Sequence, residues 1–307
     1  MQIYLPIAEI PLDILTLLLL GGVAGFLAGM FGIGGGFLMT PMLIFLGVTP
    51  AVAVASSANQ IVASSFSGFL AHLRKNNVDF KMGGFLLIGG LIGSTGGARI
   101  FAYLKELGYI DIVISLSYVL FLGSIGLMMG VESYKSITKR KNNSSDDKPK
   151  KTKKSNWQDK LPFKVNFTRS DMQVSAILPV IVGIFSGLIV SIMGIGGGFI
   201  TIPAMIYLLK IPTSVVVGTS LFQMILTTSN VTFFHAYYSN TVDVVLAMLL
   251  LTGSVIGAQF GTKMGFKIAP DSLRGLLAIM VLVVAGRMAM ELLVTPANPF
   301  SVVVSGS

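Results

Sequence analysis

The chain has 307 residues, 53% of them hydrophobic and 11% charged, with a mean hydropathy of +0.81. Soluble domains carry about 25% charged residues, so an ordinary soluble domain is excluded. Disorder over most of the length is excluded too, because disordered segments are poor in apolar residues. Cysteine is absent, which removes disulfides, thiolate metal sites, iron–sulfur clusters and cysteine nucleophiles. Two histidines, His72 and His235, are too few for a histidine metal site, so neither a metal nor another cofactor is expected. The 35 glycines exceed the usual ~7%. Glycine in so apolar a chain points to closely packed transmembrane helices.

A spanning helix takes about 20 mainly apolar residues. Apolar runs fall at 11–31, 37–47, 51–73, 82–104 and 110–131, and again at 173–193, 199–209, 213–235, 243–266 and 273–294. The first run lacks a basic leader and a cleavage site and reads as a membrane element. Runs 37–47 and 199–209 are too short to span upright and read as half-helices or re-entrant pieces. Between the two sets, residues 132–171 carry twelve Lys/Arg against five Asp/Glu, so most of the +9 net charge belongs to one linker. The positive-inside rule makes it a cytoplasmic loop in preference to a nucleic-acid site. Its centre, 142–154, is low in complexity and expected to be disordered, and Trp157, Leu161 and Phe163 are expected at the membrane interface. The organisation is a first membrane repeat at 1–131, the linker at 132–171 and a second repeat at 172–307.

The halves repeat each other. Gly32-Ile33-Gly34-Gly35-Gly36-Phe37 recurs as Gly194-Ile195-Gly196-Gly197-Gly198-Phe199, and Pro41 and Pro50 recur as Pro203 and Pro212 at the same spacing. Further on, Val78-Asp79 matches Val242-Asp243, Gly93 and Gly97 match Gly257 and Gly261, and Arg99 matches Lys263. Such landmarks over more than sixty residues mark an internal repeat. The loop at 74–81 holds Arg74, Lys75 and Lys81, whereas its counterpart at 236–242 holds no Lys or Arg. Equivalent loops of opposite charge character belong on opposite faces, which makes the repeat inverted. The expected fold is an all-α polytopic membrane protein with roughly 8–10 membrane elements and two broken helices near the midplane. Arg99 and Lys105 then sit near an outer helix end, so Arg99 is expected to face protein or a cavity.

The sharpest chemical signals are Gly34, Gly35 and Gly36 with Gly196, Gly197 and Gly198. A glycine triplet does not continue a helix easily, and irregular backbone in a membrane must be buried or line a polar cavity. Free N–H groups at the following helix start can bind an anion; a plain tight turn is the alternative. The second signal is polar: Ser56, Ser57, Asn59 and Gln60 answer Gly218, Thr219, Ser220 and Gln223. Neutral donors suit an oxyanion, and the alternative is that they join helices. Arg99 and Lys263 either attract an anion or snorkel to the interface. His72 and His235 either titrate in a proton-coupled cycle or anchor helix ends. Asp79 and Asp243 read as helix N-caps, Glu291 as the partner of Arg287 one turn earlier, and the Gly21/Gly25/Gly29, Gly89/Gly93/Gly97 and Gly253/Gly257/Gly261/Gly265 series as packing stripes.

The twin G-x-G-G-G-F breaks, Pro41, Pro203 and Gly218-Thr219-Ser220 resemble the TauE/SafE sulfite exporter family, also called the 4-toluene sulfonate uptake permease family. The resemblance covers nearly the whole chain except the linker. Ser56-Ser57-Ala58 stands where the family often has Gly-Thr-Ser. The resemblance implies secondary transport of sulfite, a sulfonate or a related sulfur-containing anion across the cell (inner) membrane, without ATP hydrolysis. Alternating access would carry the anion between the breaks. An anion channel and a permease for another small solute remain alternatives, as do a homodimer and a proton as coupling ion. No HExxH or GxSxG motif supports an enzyme.

Overall fold

A computed structural model describes residues 2–142, 164–167, 172–209, 211, 213–265, 267–268 and 270–293. The first half holds α1 (Ile14–Phe31), α2 (Gly36–Phe45), α3 (Pro50–Arg74), α4 (Phe80–Glu106) and α5 (Ile110–Asn142). The second holds α6 (Ile177–Met193), α7 (Gly198–Pro203), α8 (Thr213–Phe234), α9 (Val244–Gly265) and α10 (Pro270–Leu293). Single π-helical turns extend α7 over Ala204–Leu208 and α8 over His235–Ser239. Among the described residues six segments, on α1, α4, α5, α8, α9 and α10, are long and apolar enough to cross a bilayer. Leu15, Leu19, Ile88, Ile92, Leu116, Leu120, Met248 and Ile256 are exposed, while Ser57, Gln60, Gln223 and Thr227 are buried. That arrangement suits lipid outside and a polar centre, with helices satisfying their own backbone groups. The chain is a multi-pass membrane protein.

The halves exchange partners: α1 packs on α9, α4 on α6, α3 on α8 and α5 on α10. The glycine stripes make the first two contacts. Gly21, Gly25 and Gly29 lie on Leu250, Ser254 and Ala258, while Gly89, Gly93 and Gly97 lie on Val180, Ile184 and Leu188. A Cβ on Gly93 would stand 2.0 Å from the Ile184 carbonyl oxygen, and one on Gly257 2.0 Å from that of Gly22. Only a missing side chain lets these parallel helices approach so closely.

The equivalent helices α3 and α8 run antiparallel, with Gly218 beside His72, Leu221 beside Gly68 and Val231 clustered with Ala58. The loop after α3 therefore lies at one end of the bundle, where Gly218 of α8 meets Asn77. The loop after α8 lies at the other end, where Lys105 of α4 bonds the Ser239 carbonyl. Asn76 and Asn240 mark equivalent points of these loops, both left-handed, at φ 56° and 49°.

Two β-hairpins add to the all-helical expectation. Strands β1 (Gln2–Tyr4) and β2 (Pro11–Asp13) pair ahead of α1, and β3 (Lys164–Phe167) and β4 (Met172–Ser175) pair ahead of α6. The first carries Leu5 into a buried cluster with Leu17, Met39, Val52 and Leu246. The second carries Val165 onto the cluster of Met82, Leu178 and Met205. Strands this short show no readable alternation, and only the helices behind them give them a surface to cover. Because α5 runs to Asn142 and β3 starts at Lys164, regular structure enters the stretch 132–171 from both sides. Residues 143–154, Trp157, Leu161 and Phe163 lie outside the described residues.

Candidate functional site: two crossed helix breaks

Helix α1 stops where Gly32 turns left-handed (φ 71°) and its N–H closes on the Ala28 carbonyl. Helix α6 stops in the same way at Gly194 (φ 65°), on the Val190 carbonyl. These are glycine C-caps. The breaks then differ. Gly34 and Gly35 are both left-handed (φ 94° and 73°), whereas Gly196 is left-handed (φ 89°) and Gly197 is already helical at φ −59°.

The two breaks rest directly on one another. A Cβ on Gly36 would stand 2.2 Å from the Gly194 carbonyl oxygen, and one on Gly198 2.9 Å from that of Gly32. Phe37 and Phe199, which follow the two triplets, stack with ring centroids 5.8 Å apart and planes at 19°. Ile61 of α3 and Met224 of α8 close the sides: a Cβ on Gly34 would lie 2.9 Å from Ile61 Cγ2 and 3.2 Å from Met224 Sδ. Met224 Sδ also accepts the Gly198 N–H at 2.9 Å. Tyr118 of α5, fully buried, donates to the Met193 carbonyl at 2.8 Å, just before the second break.

Polar side chains of α3 and α8 flank this crossing. Ser57 and Thr40 share a hydrogen bond of 2.8 Å, and Ser57 also donates to the Val54 carbonyl at 2.9 Å. Ser64 donates to the Gly34 carbonyl at 3.3 Å. On the other side Gln223 Nε2 donates to Ser186 and Thr227 at 3.3 Å each, and its Oε1 accepts from Thr201 at 3.4 Å. Ser220 donates to the Val217 carbonyl at 2.9 Å and reaches that of Gly32 at 3.5 Å. Gln60 is fully buried, yet neither of its amide atoms has a partner among the described residues.

The remaining candidates stand elsewhere. Ser56 and Thr219 do not turn to the breaks: Ser56 accepts the Asp243 N–H at 3.3 Å and Thr219 the Asp79 N–H at 2.9 Å. Those aspartates are N-caps as expected, Asp79 Oδ1 accepting from Lys81 and Met82 and Asp243 Oδ1 from Leu246. Asp243 Oδ2 also holds the Ile7 and Ala8 N–H groups of the first hairpin at 2.9 and 3.3 Å. Gly218 packs under the Asn77 carbonyl, and half-buried Asn59 shares the face of Ser56. Arg99 is not packed against protein. It is exposed, as is Lys263, whose Nζ lies 5.9 Å from the centre of the Phe260 ring. Such outward cations can reach the interface along their alkyl stems.

Both histidines are buried near helix ends. His235 donates Nε2–H to the Ser191 carbonyl at 2.9 Å and meets Phe101 edge-on at 4.2 Å, which anchors α8 to α6 and α4. Glu291 makes no ion pair with Arg287; the Arg287 guanidinium lies over the Phe45 ring at 4.5 Å instead. Among the described residues no His/Cys/Asp/Glu group is arranged to hold a metal.

Tyr118, Thr40, Ser186, Thr201 and Met224 are not singled out by the sequence. Tyr118 carries a usable signal, because a hydroxyl inside an apolar segment needs a partner when buried. Single Thr, Ser and Met positions carry none, since only the packed neighbour gives them a role.

Crossing helices, a polar centre and paired helix breaks contributed by two half-chains define a polytopic membrane transporter. The chain belongs to the sulfite exporter TauE/SafE family, whose model matches residues 17–288. It is 27% identical over 271 residues to the "Probable membrane transporter protein YjnA" of Bacillus subtilis, covering 87% of this chain and 96% of that one. It is likewise 27% identical over 290 residues to the "Probable membrane transporter protein YunE" of the same organism, covering 91% and 98%. The "Probable membrane transporter protein MJ0441" of Methanocaldococcus jannaschii is 25% identical over 275 residues, covering 85% and 90%. No solved structure matches the chain.

Proposed function

We propose that this protein is a secondary transporter that exports sulfite or a related sulfonate across the cell membrane. The anion binds at the crossed breaks, held by backbone N–H groups of the first break and by the unpartnered Gln60 amide of α3. The observation that carries this reading is the direct seating of Gly36 on Gly194 and of Gly198 on Gly32. Irregular backbone at the centre of a membrane bundle is tolerated only where it serves a buried or polar site. The exchange of partners between halves and the antiparallel run of α3 against α8 support an inverted repeat. One repeat then rocks against the other and opens the crossing to each side in turn. The basic stretch 132–171 keeps its end of the bundle in the cytoplasm.

The test is uptake and counterflow in proteoliposomes. Preloaded sulfite should accelerate entry of labelled sulfite, and sulfate should compete poorly. Currents without saturable counterflow would make the protein a channel, and no flux with any sulfur oxyanion would overturn the substrate assignment.

A further inference from the structure

The two central glutamines, Gln60 and Gln223, occupy equivalent places but have unequal surroundings. Gln223 faces α7: a Cβ on Gly197 would lie 3.5 Å from its amide, whose hydrogen bonds go to Ser186, Thr201 and Thr227. At the corresponding positions around Gln60 the sequence has Ala24, Met39 and Ser64, and the Ser64 hydroxyl is turned to the Gly34 and Ile61 carbonyls. Gln60 lies on the α3 stripe between Ser57, which bonds Thr40 of α2, and Ser64, which bonds Gly34. Positions three and four apart share a helix face, and Ile61 beside it touches Gly34 and Gly36, which puts Gln60 on the side of α3 that meets the first break and the first turn of α2. There the Gly35, Gly36 and Phe37 N–H groups donate to no described residue, and the ten-residue helix presents its positive end. A buried amide with no partner at either atom costs stability unless a further group bonds it.

The amide also limits what that is. Nε2 can only donate and Oε1 can only accept. A fully deprotonated oxyanion accepts from Nε2 and from the α2 amides, but it leaves Oε1 unpaired against negative charge. An oxyanion that keeps one O–H or N–H satisfies both atoms. Building on the anion reading above, we propose that Gln60 and the start of α2 form an off-centre site for a singly charged oxyanion bearing its own hydrogen-bond donor. Hydrogensulfite is the smallest sulfur species of that kind. Gln223 holds the second break together and is not a ligand.

Few protein groups can mimic the ligand's own titration. The helices packed on α3 carry, up to Val131, Asp111 and Tyr118 on α5, His235, Tyr237 and Tyr238 on the π turn that ends α8, and Lys263 on α9, whose N-cap Asp243 meets Ser56. Asp111 accepts the Ala51 N–H at the far end, and Lys263 is exposed. His72 and Arg74 lie at the end of α3 itself, and His235 bonds Ser191.

The experiment is calorimetric titration of the full chain in lipid nanodiscs with sulfite, methanesulfonate and sulfate across neutral pH. Methanesulfonate is singly charged at every pH used and has no donor, so its profile reports any titrating protein group. Sulfite affinity is expected to fall about tenfold per pH unit once the dianion predominates. Methanesulfonate should bind at least about tenfold more weakly than hydrogensulfite, as expected when a buried acceptor is left unpaired. Gln60→Leu should bring hydrogensulfite down to the methanesulfonate level while the ligand-free protein melts no lower than the parent. Gln60→Met offers the same comparison on a longer side chain if the leucine variant does not fold. Sulfite affinity that is independent of pH, methanesulfonate binding as tight as hydrogensulfite, or an unchanged preference in the Gln60 variants would overturn the proposal. Absence of binding by all three anions would overturn the underlying anion site instead.

Discussion

The Thr219 hydroxyl accepts a hydrogen bond from the backbone N–H of Asp79 at 2.9 Å, which ties α8 of the second half to the start of α4 in the first. Its equivalent, Ser56 to the Asp243 N–H at 3.3 Å, ties the first half to the start of α9. Each half thus clasps a capping aspartate of the other, at opposite ends of the bundle. Thr219→Val keeps the shape and removes the bond. We expect a loss of about 1 kcal/mol, read as a melting temperature about 2–4 °C lower in detergent. A drop in sulfite affinity with no change in melting would instead place Thr219 in the binding site.

Gly35 and Gly197 are equivalent in sequence and unequal in structure. A Cβ on Gly35 would meet the Ala24 carbonyl oxygen at 2.6 Å, in a backbone at φ 73°. Gly35→Ala should therefore cost about 1–3 kcal/mol through strain and crowding against α1. Gly197 has φ −59° and its nearest neighbours stand at 3.5 Å, so Gly197→Ala should change stability by less than about 0.5 kcal/mol. Melting curves of the two variants side by side decide this, and equal losses would refute the asymmetry of the breaks.

The close helix pairs give a sharper contrast. Gly257→Ala places a Cβ 2.0 Å from the Gly22 carbonyl oxygen, whereas Gly84→Ala and Gly96→Ala place theirs in open space. The first should destabilise by about 1–3 kcal/mol or separate α1 from α9. The other two should be neutral or slightly stabilising, because alanine favours the helix. Size-exclusion profiles before and after heating separate these outcomes.

Asn76 and Asn240 are exposed in loops at opposite ends of the bundle. Because the chain has no cysteine, Asn76→Cys and Asn240→Cys are single-cysteine reporters without further change. If the positive-inside rule sets the sidedness proposed above, a membrane-impermeant maleimide applied to intact cells should label the second and spare the first. Labelling of both from the same side would remove the inverted arrangement.

Much of this protein was legible in its sequence because the signals are local. Apolar length places the helices, the repeated glycine triplets place the breaks, and the glycine stripes on α1, α4 and α9 foretell where backbones touch. Asp79 and Asp243 read as caps because a cap bonds its own next turn. Helix rotation is different, since packing sets it. Ser56 and Ser57 are neighbours, yet successive residues on a helix point about 100° apart, so Ser56 clasps α9 while Ser57 meets α2. The same holds for Gln60 and Gln223, alike in the repeat and opposite in their hydrogen bonding, because Ser186, Thr201 and Thr227 come to Gln223 from three different helices or turns of the chain. The hairpins, the outward turn of Arg99 and the stacking of Arg287 on Phe45 depend likewise on surfaces that exist only once distant segments have packed together.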